Sequence, residues 1–456
     1  MLEHAVKSEL ITIVGDRFTD APEILACYAY DSFLEESMPD AVIFPQSTEE
    51  VARIMRVADR AGVPVTARGA GTSVCGAPIA AEHGIVLCFS KMDKILEVNT
   101  ADRYVVVQPG VINGELQKAL APSGFFFPPD PGSMNFSTIG GNVALNAGGP
   151  RCLKYGVTKD YVLGMQVVLA SGKVVRFGSK NIKDVTGYNF TSLFCGSEGT
   201  LGMITEVTLK VIAKPETTQT LLVTFADLDS TAKAVSDIIG SGILPVSMEL
   251  LDKMTMNAIE DAVNMGLPRE AGGTLLIEVD GTREACDRER SQIVAKVQEH
   301  NVLAVEEAQE EAARNRLWTA RRAAYGVFAK IAPDILSEDV TVPVSKVPEM
   351  IRRIYEITGK YNLKAGVLAH AGDGNMHPLI CADRKNREEW QLVKKAFREI
   401  FVAGAELDGT LSGEHGIGLA KAEFLPLVMD QQSRDFMELI KKAVDPNNIL
   451  NPGKFV

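Results

Sequence analysis

Three glycine-dense segments between residues 68 and 202 constrain this chain more than any other feature. Arg68-Gly69-Ala70-Gly71-Thr72-Ser73, closed by Gly76, directly follows a strand-like run at residues 63–67. The second segment opens at Pro131-Gly132 and runs through Thr138-Ile139-Gly140-Gly141-Asn142 to Asn146-Ala147-Gly148-Gly149. The third, Gly196-Ser197-Glu198-Gly199-Thr200-Leu201-Gly202, leads into a strand through Met203-Ile204. Glycine loses more freedom on ordering than any other residue, so such stretches do not hold a helix or strand by themselves. What they offer is a nest of exposed backbone N–H groups for an anion, with Thr and Ser hydroxyls beside it. The first segment suits a dinucleotide pyrophosphate, although its GxGx4G spacing is not the Rossmann fingerprint and no helix clearly follows it. One such segment is equally well a tight surface turn. Three together read as one large cofactor site, with backbone close to a flat ligand and Asn and Thr donors for its ring heteroatoms.

The surrounding pattern is α/β. Ser47-Thr48-Glu49-Glu50 is a capping box opening a helix with Val51, Ile54, Met55 and Ala58 on one face, ended by Gly62. Strand-like runs lie at 84–90, 95–98, 104–107, 165–170, 173–177 and 203–212, with a helix near 114–120. Residues 131–160 show little periodicity and read as a long functional loop. Beyond residue 215 the order is strand 220–225, helix 230–239, strand 245–250, then strand 274–279, helix 283–299, strand 303–306. Two βαβ units in series predict a ferredoxin-like sheet with helices on one face. Helices are expected at 346–362, 387–407 and 433–443, and an extended segment at 445–454.

A chain of 456 residues has room for two or three domains. Its net charge of −12 argues against nucleic acid and against a polybasic membrane patch. No basic-then-apolar leader opens the chain, and no run approaches the roughly 18 apolar residues of a membrane span. Seven scattered cysteines without a CxxC read as reduced cytosolic thiols rather than disulfides, a zinc knuckle or an iron–sulfur cluster. Electrons handled here would leave through another carrier.

Three of the six histidines fall in two short stretches, His370-Ala371-Gly372-Asp373-Gly374-Asn375-Met376-His377 and Ser412-Gly413-Glu414-His415-Gly416. A hairpin ending one strand at His370 and starting the next at His377 would bring two imidazoles together. With Glu414 as third ligand they leave open positions on a divalent ion, and His415, left off the metal, reads as the base. His4, His83 and His300 read as ordinary hydrogen-bonded residues. Asp373 and Asn375 read as turn formers, and Glu198 as a residue that orders its loop. The paired arginines of Leu317-Trp318-Thr319-Ala320-Arg321-Arg322 are the best source of a cation for a carboxylate, since an Arg fork matches one bidentately.

The chain resembles the vanillyl-alcohol-oxidase/PCMH flavoprotein superfamily over nearly its whole length. The resemblance rests on Phe44-Pro45-Gln46-Ser47, the first two glycine segments, Lys154-Tyr155-Gly156-Val157-Thr158, the third glycine segment and Leu317-Trp318-Thr319-Ala320-Arg321, in that order. The nearer match is its FAD-linked D-2-hydroxy-acid dehydrogenase branch, which includes glycolate oxidase flavoprotein subunits and D-lactate dehydrogenases. The resemblance implies an α+β chain: a helical leader (1–40), a PCMH-type FAD-binding domain of two α+β subdomains (41–215), a ferredoxin-like cap domain with the metal hairpin (216–410) and a C-terminal helical segment (411–456). It implies FAD contacts from Arg68, Gly69, Ala70, Gly71, Thr72, Ser73, Gly76, Pro131, Gly132, Thr138, Gly140, Gly141, Asn142, Asn146, Gly148, Gly149, Tyr155, Glu198, Gly199, Ile204 and Asn451. It places a divalent ion (Zn, Mn or Fe) on His370, His377 and Glu414, makes His415 the base, and selects Arg321 over Arg322. FAD is expected to be non-covalent, because His83 lies off the family's attachment motif. The implied reaction takes a hydroxyl proton to His415 and a C2 hydride to flavin N5, converting a small D-2-hydroxy acid to the 2-oxo acid.

Leu379 stands where 2-hydroxyglutarate enzymes of the branch carry a polar residue, so D-lactate or glycolate is favoured over longer 2-hydroxy acids. A structural FAD-binding subunit and a flavin-free metallohydrolase are the competing readings. The intact His/Glu set opposes the first and the glycine segments the second. An iron–sulfur subunit, an electron-transfer flavoprotein or a quinone would accept the electrons. A cytoplasmic homodimer or hetero-complex is expected, attached to a membrane only through a partner.

Overall fold

Helix Thr48–Ala61 forms where its local sequence directs. Ser47 Oγ accepts the Glu50 amide at 3.2 Å, and Gly62 ends the helix in the left-handed region at φ 63°. Val51, Ala52, Ile54, Met55, Val57 and Ala58 are buried on its inner face. Glu50 also takes both Nη groups of Arg17 at 2.6 Å, which ties the preceding segment to the helix start.

The computed structural model describes residues 2–264, 266–308 and 310–455. The chain divides into two units, the first comprising Met1–Gly148, Val157–Lys214 and Glu414–Val456, the second Gly149–Gly156 and Pro215–Gly413. Among the described residues no helix is long and apolar enough to cross a membrane.

In the first unit, β1 (Phe18–Thr19), β2 (Ala41–Ile43), β3 (Val65–Arg68) and β4 (Ile85–Cys88) form a sheet ordered β1-β2-β4-β3. β2, β4 and β3 run parallel, and β1 joins antiparallel to β2. A second, antiparallel sheet holds β5 (Ile95–Asn99), β6 (Tyr104–Val107), β8 (Val162–Val168), β9 (Val174–Gly178) and β10 (Met203–Lys210), ordered β5-β6-β10-β8-β9; β7 (Phe125–Phe126) and β11 (Ile212–Ala213) make a small ribbon. The predicted helical leader turns out to be an integral layer. Its Leu10 and Val14 lie in the core that includes Ile43, Val51 and Ile54, and it supplies edge strand β1. Two residues of strand leave no periodic trace, so the pairing was invisible to pattern reading. Residues 131–160 likewise contain helices, Ile139–Leu145 and Cys152–Tyr155.

The second unit is one antiparallel sheet of β12 (Thr217–Phe225), β13 (Ser247–Asp252), β14 (Gly273–Gly281), β15 (Val302–Ala308), β16 (Asp334–Ser337), β17 (Val340–Thr341), β18 (Lys364–His370) and β19 (Asn375–Ala382). The order is β15-β12-β14-β13-β18-β19-β16, with β17 also on β19. The first four strands reproduce the expected ferredoxin-like arrangement. The expectation of helices on one face needs correction. Helix Leu228–Gly240 approaches the Gly273 side of β14, where a Cβ would meet Thr231 Oγ1 at 2.5 Å. Helices Lys253–Val263 and Glu311–Val327 cover the opposite face, packing Met256, Ile259, Leu317 and Ala320 against Leu251, Leu276, Leu368 and Leu379. The added strands β18 and β19 widen the sheet, and its second apolar face then requires cover.

The C-terminal segment closes the first unit. Leu450 pairs with Val65 at the free edge of β3, and the Asn451 amide donates to Val65 O at 2.9 Å. Buried Lys441 holds this return: its Nζ lies 2.5 Å from Asp445 Oδ2 and donates to Thr200 O and Leu450 O. Asp445 in turn accepts the Ile449 and Leu450 amides. Lys441→Met leaves the Asp445 carboxylate buried and unpaired, which costs about 3–5 kcal/mol. Denaturant unfolding should show that loss, and a change under 1 kcal/mol would contradict it.

Candidate functional site

The first unit draws its three glycine segments together. The β3 strand ends at Arg68, so the first segment leaves from the carboxyl end of a parallel strand, where α/β sheets hold ligands. Gly69 lies so close to Thr138 that a Cβ there would meet its Oγ1 at 2.2 Å, joining the first segment to the second. The Gly196 and Glu198 amides donate to Val143 O and Ala144 O, joining the third to the second. Asn451 links the C-terminal segment to the cradle. Its Nδ2 donates to Ala77 O and Glu198 O at 3.0 and 2.7 Å, and its Oδ1 accepts from Thr66.

Buried polar atoms test whether a dinucleotide fits here. Arg68 Nη1, Ser137 Oγ and Asn142 Nδ2 are buried without a hydrogen-bond partner. Leaving such groups unpaired costs roughly 1–3 kcal/mol each. A buried guanidinium beside exposed loop amides is complementary to a diphosphate, and hydroxyl and amide groups suit a heteroaromatic ring. The residues present fit the group.

Other expected contacts have local duties as well. Thr138 caps helix Ile139–Leu145 by accepting the Gly141 amide, and Asn146 ends it in the left-handed region while accepting the Lys159 amide. Gly71 and Gly76 adopt φ of 73° and 77°; Ser73 Oγ accepts the Cys75 amide; Ala70 is exposed and Thr72 half-buried in the same turn. Pro131, Gly148 and Gly149 are buried, Gly140 is half-buried, and Gly132 is exposed. Gly199 packs on Ala67, and Ile204 pairs with Val167 inside β10. Tyr155 belongs to the second unit, where its hydroxyl donates to Asp280 at 2.7 Å beside the Lys154–Asp280 ion pair.

In the second unit, β18 and β19 form the expected hairpin around Ala371–Gly374. β18 ends at His370, whereas β19 starts at Asn375, so His377 lies inside the strand opposite Leu368. The two imidazoles are buried, with ring centroids 5.1 Å apart and planes at 87°. His370 Nδ1 lies 2.7 Å from Glu249 Oε1. Arg321 reaches the other oxygen, with Nε at 2.7 Å and Nη2 at 2.5 Å from Glu249 Oε2.

Asp339 orders the second His/Glu stretch. Its Oδ2 accepts the Ser412 hydroxyl at 3.1 Å and the Gly413 amide at 2.7 Å. Gly413 must be glycine, since a Cβ would lie 2.5 Å from Thr341 Oγ1 and 2.6 Å from Asn375 Cγ. Glu414 follows it directly. His370, His377 and Glu414 each offer one ligand atom, and these atoms lie within 4.8 Å of one another. Two nitrogens and an oxygen are a donor set that suits Zn, Mn or Fe and leaves positions open.

Comparison with known proteins agrees with this architecture. Residues 214–455 match the family described as FAD linked oxidases, C-terminal domain, and residues 39–178 match an FAD binding domain. The chain belongs to the FAD-linked oxidases. The glycolate oxidase subunit GlcD of Bacillus subtilis (strain 168) is 44% identical over 456 residues, covering 100% of this chain and 97% of that protein. A mitochondrial D-lactate dehydrogenase [cytochrome] of Arabidopsis thaliana is 35% identical over 423 residues, covering 92% and 74%. A crystal structure of p-cresol methylhydroxylase with substrate bound superposes with a TM-score of 0.82 at 17% identity, over 99% of this chain and 96% of that one; it shows the shared fold. This FAD-linked oxidase is therefore an oxidoreductase with the expected PCMH-type α+β fold and FAD as its cofactor.

Several residues that hold these segments of the oxidase in place carry no motif. Glu249 is the sole charged residue in the run Val246-Ser247-Met248-Glu249-Leu250-Leu251, and that oddity was its only signal. Asp31, in the leader, accepts the Phe33 and Gly76 amides and so orders the first glycine turn. Trp318 Nε1 donates to buried Glu278, which accepts from Thr220 as well.

Glu198 orders more than its own loop. Its two oxygens accept the Ile417 and Gly418 amides at 2.7 and 2.8 Å, just beyond His415. Burial pushes its carboxyl up to about 7, against those two donors and the Lys454 and Lys421 charges. With the folded pKa raised from 4.5, its stabilisation is complete below about pH 4.5 and is lost as pH rises through about 7. Relative to Glu198→Gln, the wild type should lose about 3 kcal/mol of stability between pH 4.5 and 8. Paired unfolding curves across that range check this. A stability difference that does not move with pH would contradict it.

Proposed function

We propose that the chain oxidises a small D-2-hydroxy acid, D-lactate or glycolate, to the 2-oxo acid with the help of a divalent metal ion. The observation that carries this reading is the convergence of His370, His377 and Glu414 ligand atoms within 4.8 Å, on a chain whose relatives are named for glycolate and D-lactate. When bound, FAD supplies the hydride acceptor and the divalent ion a Lewis acid for the 2-hydroxyl.

The remaining work belongs to side chains. Arg321 pairs with the substrate carboxylate; among the described residues its Nη1 has no ion-pair partner. His415 takes the proton from the 2-hydroxyl oxygen onto its imidazole. Its place directly after ligand Glu414 supports that role, because the ligand then fixes the base beside the activated hydroxyl. Asp339 and Glu198 hold the backbone before and after these two residues. FAD is held without a covalent bond: His83 is exposed and engaged with Met38 O at 2.9 Å.

Leu379 supports a small substrate. It is fully buried in an apolar cluster with Leu251, Phe328 and Leu368, so this position offers no polar group to a second carboxylate. Electrons pass on to a partner: an iron–sulfur subunit, an electron-transfer flavoprotein or a quinone. The word subunit in the name of the Bacillus subtilis relative supports a hetero-complex.

His415→Ala should lower the rate of anaerobic flavin reduction roughly 10²–10⁴-fold with FAD content unchanged. A variant that keeps more than a tenth of the wild-type rate would remove His415 as the base. A substrate screen with an artificial acceptor should give kcat/KM at least tenfold higher for D-lactate or glycolate than for D-2-hydroxyglutarate, and the reverse order would favour the longer acid.

A further inference from the structure

We propose that Glu249 is a positioning residue that sets a metal ligand and the substrate-binding arginine at once; the inference rests on the function proposed above. Strand register places Glu249 directly opposite His370, while the next pair on the same face is Leu251 opposite Leu368. On the other side Glu249 pairs with Leu276, also apolar and buried. A fully buried carboxylate therefore sits between Leu276 and His370, beside the apolar Leu251–Leu368 pair. Buried ion pairs are poor stabilisers compared with apolar side chains of similar volume, so packing alone gives no reason for a Glu here.

Its contacts give one. The carboxylate divides its two oxygens, Oε1 to His370 Nδ1 at 2.7 Å and Oε2 to the Nε–Nη2 edge of Arg321. An ionised carboxylate only accepts, so the imidazole must carry its proton on Nδ1 and present the Nε2 lone pair outward. That is the tautomer a metal ligand needs, and an anionic partner also makes the ligand more basic. The same carboxylate occupies one edge of the guanidinium and stops it rotating, leaving Nη1 for an incoming carboxylate. One residue thus couples metal geometry to substrate recognition, across 121 residues of chain to His370 and 72 to Arg321.

Glu249→Gln tests this. An amide accepts at one atom and donates at the other, so it cannot serve both partners. The readout is Mn²⁺ titrated into chelator-stripped, FAD-loaded protein, with KM for the hydroxy acid measured alongside. The expected result is a 10–100-fold loss of Mn²⁺ affinity together with a KM raised at least tenfold, at unchanged FAD content. Glu249→Asp should recover part of both, and Arg321→Lys should raise KM while leaving Mn²⁺ affinity as in the wild type.

If the single variant does not fold, Glu249→Gln with Arg321→Met removes both buried charges and should still bind Mn²⁺ at least tenfold more weakly than Arg321→Met alone. Wild-type Mn²⁺ affinity in Glu249→Gln, or equal affinity in that double and single variant, overturns the inference alone. A wild type that takes up no divalent ion overturns the metal reading and this inference with it.

Discussion

Antiparallel register across β13, β18 and β19 is the constraint that brings Glu249, His370 and His377 together. It sets Glu249 opposite His370, His370 opposite Asn375, and Leu368 opposite His377. Strand side chains alternate faces, so a slip of one residue would send these groups to the far side of the sheet. Apolar neighbours prevent the slip. Leu251, Leu368 and Leu379 share the face of the imidazoles and are buried under helices Lys253–Val263 and Glu311–Val327. The second of those helices also carries Arg321, so the contacts that bury the sheet deliver the cation to Glu249.

Buried carboxylates play a similar part in the first unit. Asp31, Glu198 and Asp445 each accept two backbone amides from a segment that has no ladder of its own. Glycine-rich loops gain little from side-chain packing, and their ordering entropy has to be offset by hydrogen bonds. A carboxylate held by a lysine, as Asp445 is by Lys441, does this about twice as strongly as a neutral acceptor. Arg68 Nη1, Ser137 Oγ and Asn142 Nδ2 are buried polar atoms that a bound cofactor would pair.

What was legible in the sequence follows from this division. Residues expected to touch a ligand come in runs, because glycine, His and Asn are needed at fixed spacing, and such runs are readable. The ferredoxin-like strands were readable from their alternation, and helix Thr48–Ala61 from its cap. Residues that hold those runs in place were not. Glu249 meets His370 only through strand pairing, Glu198 meets Ile417 across 219 residues, and β1 is too short to show a period. Helix Ile139–Leu145 was hidden because its glycines weaken any helical signal, while packing and the Thr138 cap stabilise it.

If the His/Glu cluster and FAD act in one reaction, as proposed, removing the divalent metal should stop the flavin from being reduced. Anaerobic mixing of D-lactate or glycolate with FAD-loaded protein, before and after metal removal, measures this. The expected result is rapid loss of the oxidised flavin's visible absorbance in the metal-replete protein, a rate at least a hundredfold lower after stripping, and recovery when Zn²⁺ or Mn²⁺ is returned. Flavin reduction at an equal rate in the stripped protein would contradict it.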